Sequence, residues 1–479
     1  MGSTHLMFLI GNRVMPRRRL RGVIAGLAVA GVAVLPASGA VGATLQPKLV
    51  ANAGYGSSPV SFARSADGTL HLAIESNINW GDSFNGVAAR SITPAGTLGP
   101  SVTALSWGGS GGSPSGIPGL AVLPGGTLDA VFGGSPGGDP GPWSITSSNG
   151  GSTWTTPADV GSGSMEGGGA LTLQLSNGTP VITEGCCGGL VVQKGFGAGA
   201  PTFQLVNSTD GVAGDVNTAL DASTGAPVAS WVSVAGTGGS WLQQIAPSEG
   251  AAQKAPIPSQ YGEGVPLIAA GRDSGPGVFA AYPANYANTT HISLLRYGVG
   301  SVSVGSVKGL HANVWGTATG KDGRIWVAWW GQKQSDGKEY LVITRSNKAV
   351  TRFEPLQLHQ FRFNLGVLQG DGRLGPLDML IIGTPYGGSL DGIYYARILP
   401  ELSAKVKASD LGGGKFKLKF AVSDAGDAVG GATASAKGLH AKTKPNGHAK
   451  LEVSGHAGQR VTVTVTAPGY QELKETITL

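Results

Sequence analysis

The feature that most constrains this 479-residue chain is a hairpin that recurs seven times at nearly constant spacing. It reads SFARSADGTLHLAI at Ser61–Ile74, GLAVLPGGTLDAVF at Gly119–Phe132 and ALTLQLSNGTPVIT at Ala170–Thr183. It returns as TALDASTGAPVASW at Thr218–Trp231, LIAAGRDSGPGVFAAY at Leu267–Tyr282 and GTATGKDGRIWVAWW at Gly316–Trp330. The last and most degenerate copy is NLGVLQGDGRLGPLDMLII at Asn364–Ile382. The turn glycines are read as Gly68, Gly126, Gly178, Gly225, Gly275, Gly323 and Gly372, spaced 58, 52, 47, 50, 48 and 49 residues apart. Glycine there supplies the positive φ that a tight hairpin turn needs.

A third strand follows each turn glycine by about 22 residues, often ending in arginine: Arg90, Arg296, Arg345 and Arg397. A fourth follows each further turn, as at Ser101–Leu105. Four short strands per repeat of about fifty residues describe the blade of a β-propeller. The seventh repeat ends after its third strand, near Pro400, and Leu45–Val50 is a spare strand that would complete it and close the ring. The expected fold is therefore all-β: a propeller of seven blades, or six if one repeat is displaced, over residues 44–400.

The rest of the sequence agrees. With 81 glycines and only 13% charged residues, no stretch sustains a 3.6-residue apolar period, and β-branched runs between Gly, Pro, Asn and Asp dominate. Residues 1–43 read as an export signal: Arg17, Arg18, Arg19 and Arg21, then the uncharged run Val23–Leu35, then small residues, with cleavage after Ala43 and Met15 as a plausible start. That run is about 13 residues, short of the roughly 20 that span a bilayer, and no later segment is long and apolar enough. The expected product is secreted, soluble and monomeric. The signal carries five arginines and no acid, while residues 401–479 carry eleven basic and seven acidic residues. The formal charge of +6 thus leaves residues 44–400 near −3, which argues against nucleic-acid binding.

Trp143–Trp154 contains Ser147, Asn149, Gly151, Thr153 and Trp154 in the spacing Ser-x-Asn-x-Gly-x-Thr-Trp. This resembles the Asp-box of the sialidase-like (BNR-repeat) propellers, with Asn149 in the Asp position. The resemblance implies a structural role: the polar residue bonds turn amides between the third and fourth strands, and the aromatic packs between blades. A sialidase would further need three arginines gripping a carboxylate, a Tyr–Glu pair and an Asp acid/base. The motif that usually supplies the first arginine is missing. Arg90, Arg296, Arg345 and Arg397 share one strand-three position beside the Asp-box turn, an end that in this family lies opposite the active site. The expectation for them is structural: covering strand edges or pairing with turn carboxylates.

Function is then expected on the loops between the second and third strands, around the channel mouth. The ligand-face candidates are Asn79, Trp80, Asp82, Glu184, Tyr282, Tyr286, Trp330, Tyr386 and Asp391, aromatics beside amides and acids that suit stacking on sugars; inter-blade packing of the same aromatics is the plain alternative. Cys186 and Cys187 are expected to pair in an oxidising compartment. Adjacent Cα atoms sit about 3.8 Å apart, so the ring would be strained and would rigidify its turn. No metal-ligand spacing or cofactor motif is present, so neither metal nor cofactor is expected. No catalytic set is assigned.

Residues 401–479 turn Lys-rich and alternating, as in Lys415–Phe420 and Arg460–Thr466, reading as half-buried strands. With turns at Lys444–Gly447 and Ala467–Tyr470, the segment resembles bacterial Ig-like or carboxypeptidase-regulatory-like sandwiches. The leading expectation is a secreted, non-catalytic binding or adhesion protein for a glycan or cell-wall polymer. The alternatives are a sialidase-like glycoside hydrolase or polysaccharide lyase, and a structural envelope protein.

Overall fold

The computed structural model describes residues 45–479 apart from 54–59, 78–81, 83, 107–117, 135–140, 162–169, 187–188, 206–215, 234–238, 258–266, 285–289 and 386–390. Up to residue 398 the described residues form five four-stranded antiparallel sheets and one eight-stranded sheet. In the latter, two four-stranded antiparallel units are joined by a short parallel pairing of Thr319 and Gly320 with Asp371 and Gly372. These four-stranded units, called sheets below, are numbered 1 to 7 in order of their first strands. Those first strands are Val60–Arg64, Gly119–Val122, Ala170–Ser176, Asn217–Asp221, Ala269–Gly271, Leu310–Gly320 and Phe363–Gly372. Residues of all seven line one central cavity. The arrangement is a β-propeller.

Its packing follows from the period-two alternation of a strand. In sheet 6, Ile325, Val327 and Trp329 pack into the core shared with sheet 5, whereas Trp326, Ala328 and Trp330 pack into the core shared with sheet 7. Buried on both faces, such second strands read as continuous apolar runs. Seven cores of this kind occur, one between each pair of neighbouring sheets, and they include a core between sheets 7 and 1.

That last core exists because sheet 7 is made from both ends of the repeat region. Lys48–Asn52 pairs antiparallel with Gly392–Ile398, with Lys48 opposite Tyr395 and Asn52 opposite Gly392. The spare N-terminal strand does complete the ring, two to three residues downstream of its expected place. An ion cluster reinforces the seam. Buried Arg64 of sheet 1 reaches Asp371 (2.6 Å) and Asp378 (2.7 Å) of sheet 7 and donates to the Gly68 carbonyl. Tyr395 Oη donates to the same Asp378.

Six of the seven turn glycines have φ between 67° and 87°, as the repeat requires. Gly372 does not. The first strand of sheet 7 runs through it, and Gly375 (φ 112°) makes the turn instead. A Cβ on Gly372 would fall 2.3 Å from the Trp326 indole nitrogen, so close approach, not a positive φ, demands glycine there.

The four regular arginines lie at the turn end. Arg90 donates to the carbonyls of Val50 and Gly99, Arg296 stacks on Phe279, and Arg397 faces Asp378 at 3.7 Å. Arg345 pairs with Glu354 and with Asp424 of the C-terminal segment. That segment forms two four-stranded sheets sharing one core, Phe416, Leu418, Phe420 and Val422 from one and Val461, Val463 and Val465 from the other. It docks on the turn end of the propeller. Arg324 bridges Asp424 and Asp427, and Tyr470 donates to Asp424. Burial drives the Glu354 carboxyl well above its ordinary range.

Replacing Arg64 by Ala leaves buried Asp371 to Arg373 alone (2.6 Å) and buried Asp378 to Arg397 at 3.7 Å. We expect a stability loss of about 3 kcal/mol, read from the urea midpoint; a loss under about 1 kcal/mol would show that the seam does not depend on this cluster.

Candidate functional site

The central cavity measures about 920 Å³. Its walls carry hydroxyls and amides, and four of these residues stitch one sheet to the next. Asn217 Oδ1 accepts from the Ala269 amide, Thr317 Oγ1 from the Ala281 amide, and Gln369 Nε2 donates to the Val60 carbonyl. Thr319 Oγ1 donates to the Gly271 carbonyl. The hydroxyls of Ser61 and Thr172 are buried and make no hydrogen bond. Charge gathers at the turn end, where Arg272, Asp273, Asp371 and Arg373 line the cavity; the other end carries His311 and Asn313.

Of the residues expected at the loop face, Asn79, Trp80, Tyr286, Tyr386 and Cys187 lie outside the described residues, as does the side chain of Cys186. The backbone of Cys186 ends the strand Thr179–Cys186 and pairs with Gly189. Asp82 and Asp391 are brought to either side of one strand end. Asn52 Nδ2 donates to Asp82 (3.2 Å), the Asn77 amide donates to it as well (3.1 Å), and the neighbouring Ala53 amide donates to the Asp391 carbonyl. Thr384 donates to the Asp391 carboxyl, which burial raises above its ordinary pKa.

Tyr282 and Trp330 do not present themselves to a ligand. They are 4% and 7% exposed, inside the cores between sheets 4 and 5 and between sheets 6 and 7. Tyr282 Oη donates to Ser301 on the outer strand of its own sheet. Both stand on the buried phase of a strand with no solvent face, so the plain alternative holds for these two. Glu184 is buried as well, opposite Leu171 and Val191.

Glu75 is a buried acid that the repeat alone does not single out. It lies one residue beyond the recognised hairpin, at the loop end of the strand Leu70–Ser76. It shares a face with Ala73 and stands opposite Val87, both in the core toward sheet 2. It is 7% exposed, and burial without a compensating charge raises its pKa to about 8. It is therefore a protonated carboxyl at neutral pH, able to donate a proton or a hydrogen bond. Glu184, two residues after Ile182 of the sheet 2–sheet 3 core, faces sheet 2 from the other side. The sequence signal was an acid interrupting the apolar run LHLAIES.

The turn at Ser147–Trp154 forms a closed set of hydrogen bonds. Asn149 Oδ1 accepts from the Thr153 amide (2.9 Å), Asn149 Nδ2 donates to Thr153 Oγ1, and Ser147 Oγ accepts from the Gly151 amide. Trp154 donates to the Gly151 carbonyl and packs on the core between sheets 1 and 2. Sheet 6 repeats the device unannounced: Asn347 Oδ1 accepts from the Thr351 and Arg352 amides, and Nδ2 donates to Thr351 Oγ1. These side chains hold turns at the end away from the loop face. Among the described residues no group of three or more His, Cys, Asp and Glu is placed to hold a metal ion.

No protein-family model and no curated protein sequence matches the chain. Solved structures do. Hydrazine synthase of Kuenenia stuttgartiensis is 9% identical, with 69% of this chain and 94% of that one covered and a TM-score of 0.38. A Trypanosoma rangeli sialidase is 11% identical, covering 87% and 83%, at 0.33. A β-fructofuranosidase of Schwanniomyces occidentalis is 8% identical, covering 86% and 94%, at 0.33. At these scores the likenesses carry no argument, and the fold rests on the sheet order and the ring of cores.

Folded Glu75 keeps a proton that the unfolded chain releases near its ordinary pKa of 4.5. Its contribution to stability therefore declines as pH rises from about 5 and levels off above about 8. Glu75→Gln removes this decline, so the stability of the variant relative to wild type should grow between about pH 5 and pH 9. Parallel stability curves would contradict the assignment.

Proposed function

We propose that this is a secreted, monomeric, non-catalytic carbohydrate-binding protein. In this reading residues 1–43 are an export signal, 44–400 a seven-bladed propeller with Asp-box-type turns, and 401–479 an Ig-like or carboxypeptidase-regulatory-like module. The observation that carries it is the cavity. Its volume falls in the range of ligand sites, roughly 300–1,000 Å³. Its walls offer neutral hydroxyl and amide groups, and the amides of Gln174 and Asn313 keep accessible surface there. The C-terminal module docks at the turn end through Arg345 and Arg324, away from the loops. Trp80, Tyr286 and Tyr386, in the second-to-third-strand loops by sequence, would supply stacking faces, and a stapled Cys186–Cys187 turn would stiffen that rim.

The test is a glycan array with the full chain, followed by titration of the best neutral ligand. Gln174→Ala and Asn313→Ala should each weaken binding about five- to tenfold, one hydrogen bond's worth. Thermal stability should hold, because neither side chain is buried. Absence of glycan binding, or undiminished affinity in the double variant, would overturn the reading.

Glu75 favours one alternative, a glycoside hydrolase with Glu75 as general acid and Glu184 as the second carboxyl. It predicts aryl-glycoside turnover that falls at least 100-fold in Glu75→Gln, and a wild type inactive on a broad panel would dismiss it.

A further inference from the structure

The C-terminal segment carries a second surface that owes nothing to the propeller cavity. Its sheet of Ser403–Gly412, Lys415–Asp424 and His448–Ser454 buries alternate residues, Phe416, Leu418 and Phe420 among them, and turns the intervening ones to solvent. The outward set includes Lys405, Lys407, Lys415, Lys417, Lys419 and Lys450. Register places Lys407 opposite Lys419 and Lys419 opposite Lys450, three ammonium groups in a row across three strands. Among the described residues the ion pair on this face is Lys417–Glu452, at 3.8 Å. Like charges directly opposed destabilise a sheet, so folding alone gives no reason for the row.

The chemistry of the face narrows its partner. It presents lysine without arginine, and therefore point charges, not the planar fork that favours carboxylate pairing. No Phe, Tyr or Trp stands among its outward positions, and its imidazole, His448, sits at the strand start against the Phe420 carbonyl, so sugar rings and nucleobases have no broad stacking platform. Charges repeat about 6.7 Å apart along a strand and about 4.8 Å across strands, a grid that meets a flexible chain bearing one anion per short repeat. We propose that this face docks a linear polyol polymer joined by phosphodiesters, holding the protein to an anionic surface while the loop end of the propeller stays free.

The experiment uses the full chain and synthetic poly(glycerol phosphate) as probe, titrated at several salt concentrations. Lys407→Gln/Lys419→Gln/Lys450→Gln should bind at least tenfold more weakly. Its slope of log affinity against log salt should be shallower by about two, from three lost contacts at roughly 0.7 each. Its melting temperature should not fall. A charge-matched control, Lys442→Gln/Lys444→Gln/Lys474→Gln, should keep wild-type affinity within about twofold. No binding by wild type, equal losses in both triple variants, or tighter binding to a single-stranded oligonucleotide than to the polymer would overturn the proposal. None of these outcomes depends on whether the propeller binds a glycan.

Discussion

The ring closes where sheet 7 meets sheet 1, and five residues from outside the repeats add to a core that Leu380, Ile382, Ile393 and Tyr395 also build. Lys48–Asn52 lies before the first repeat, yet it is the outer strand of the seventh sheet. Val50 enters the core that joins sheets 7 and 1, and Asn52 and Ala53 continue into the loop end to hold Asp82 and the Asp391 backbone. At the other end of the same seam Arg64 ties Asp371 and Asp378. Hydrogen bonds, apolar burial and buried charge thus converge on one joint. The cavity, the loop face and the docking end all take their positions from it.

The two ends of the ring then divide the work. At the turn end, short polar residues and arginines are spent on structure: Asn149 and Asn347 brace turns, and Arg345 is clasped by Glu354 and Asp424 beneath Tyr470. The carboxyl groups of the opposite end are held differently. Asp82 accepts two hydrogen bonds, whereas Glu75 sits in apolar surroundings without a charged partner and keeps its proton.

Much of this was legible in the sequence, because the hairpin turn requires glycine and the repeat makes the requirement visible. Six glycines make the turns assigned to them; the seventh failed where Gly372 and Gly375 both fit the pattern and only the Trp326 contact separates them. Tyr282 and Trp330 were misread for a related reason. An aromatic at the loop end of a strand looks the same whether it faces a ligand or a neighbouring sheet, and only its phase with Ala280 or Trp326 decides. Glu75 was missed because period identifies what recurs, and a single acid in an apolar strand does not. The Asn347 turn was hidden by the loss of its glycine and tryptophan, although Asn-x-x-x-Thr survives.

The claim on which the account rests is that the ring is closed by its own N-terminal strand. Amide hydrogen exchange on the full chain reads this directly. Closure predicts that the amides of 49–52 bonded to Gly392–Ile398 exchange far more slowly than those of exposed turns, because they open only with that sheet. Exchange of 49–52 at the rate of exposed turns, with the inner strand Leu377–Pro385 still protected, would mean that the strand is an appendage and the ring is held by its cores alone.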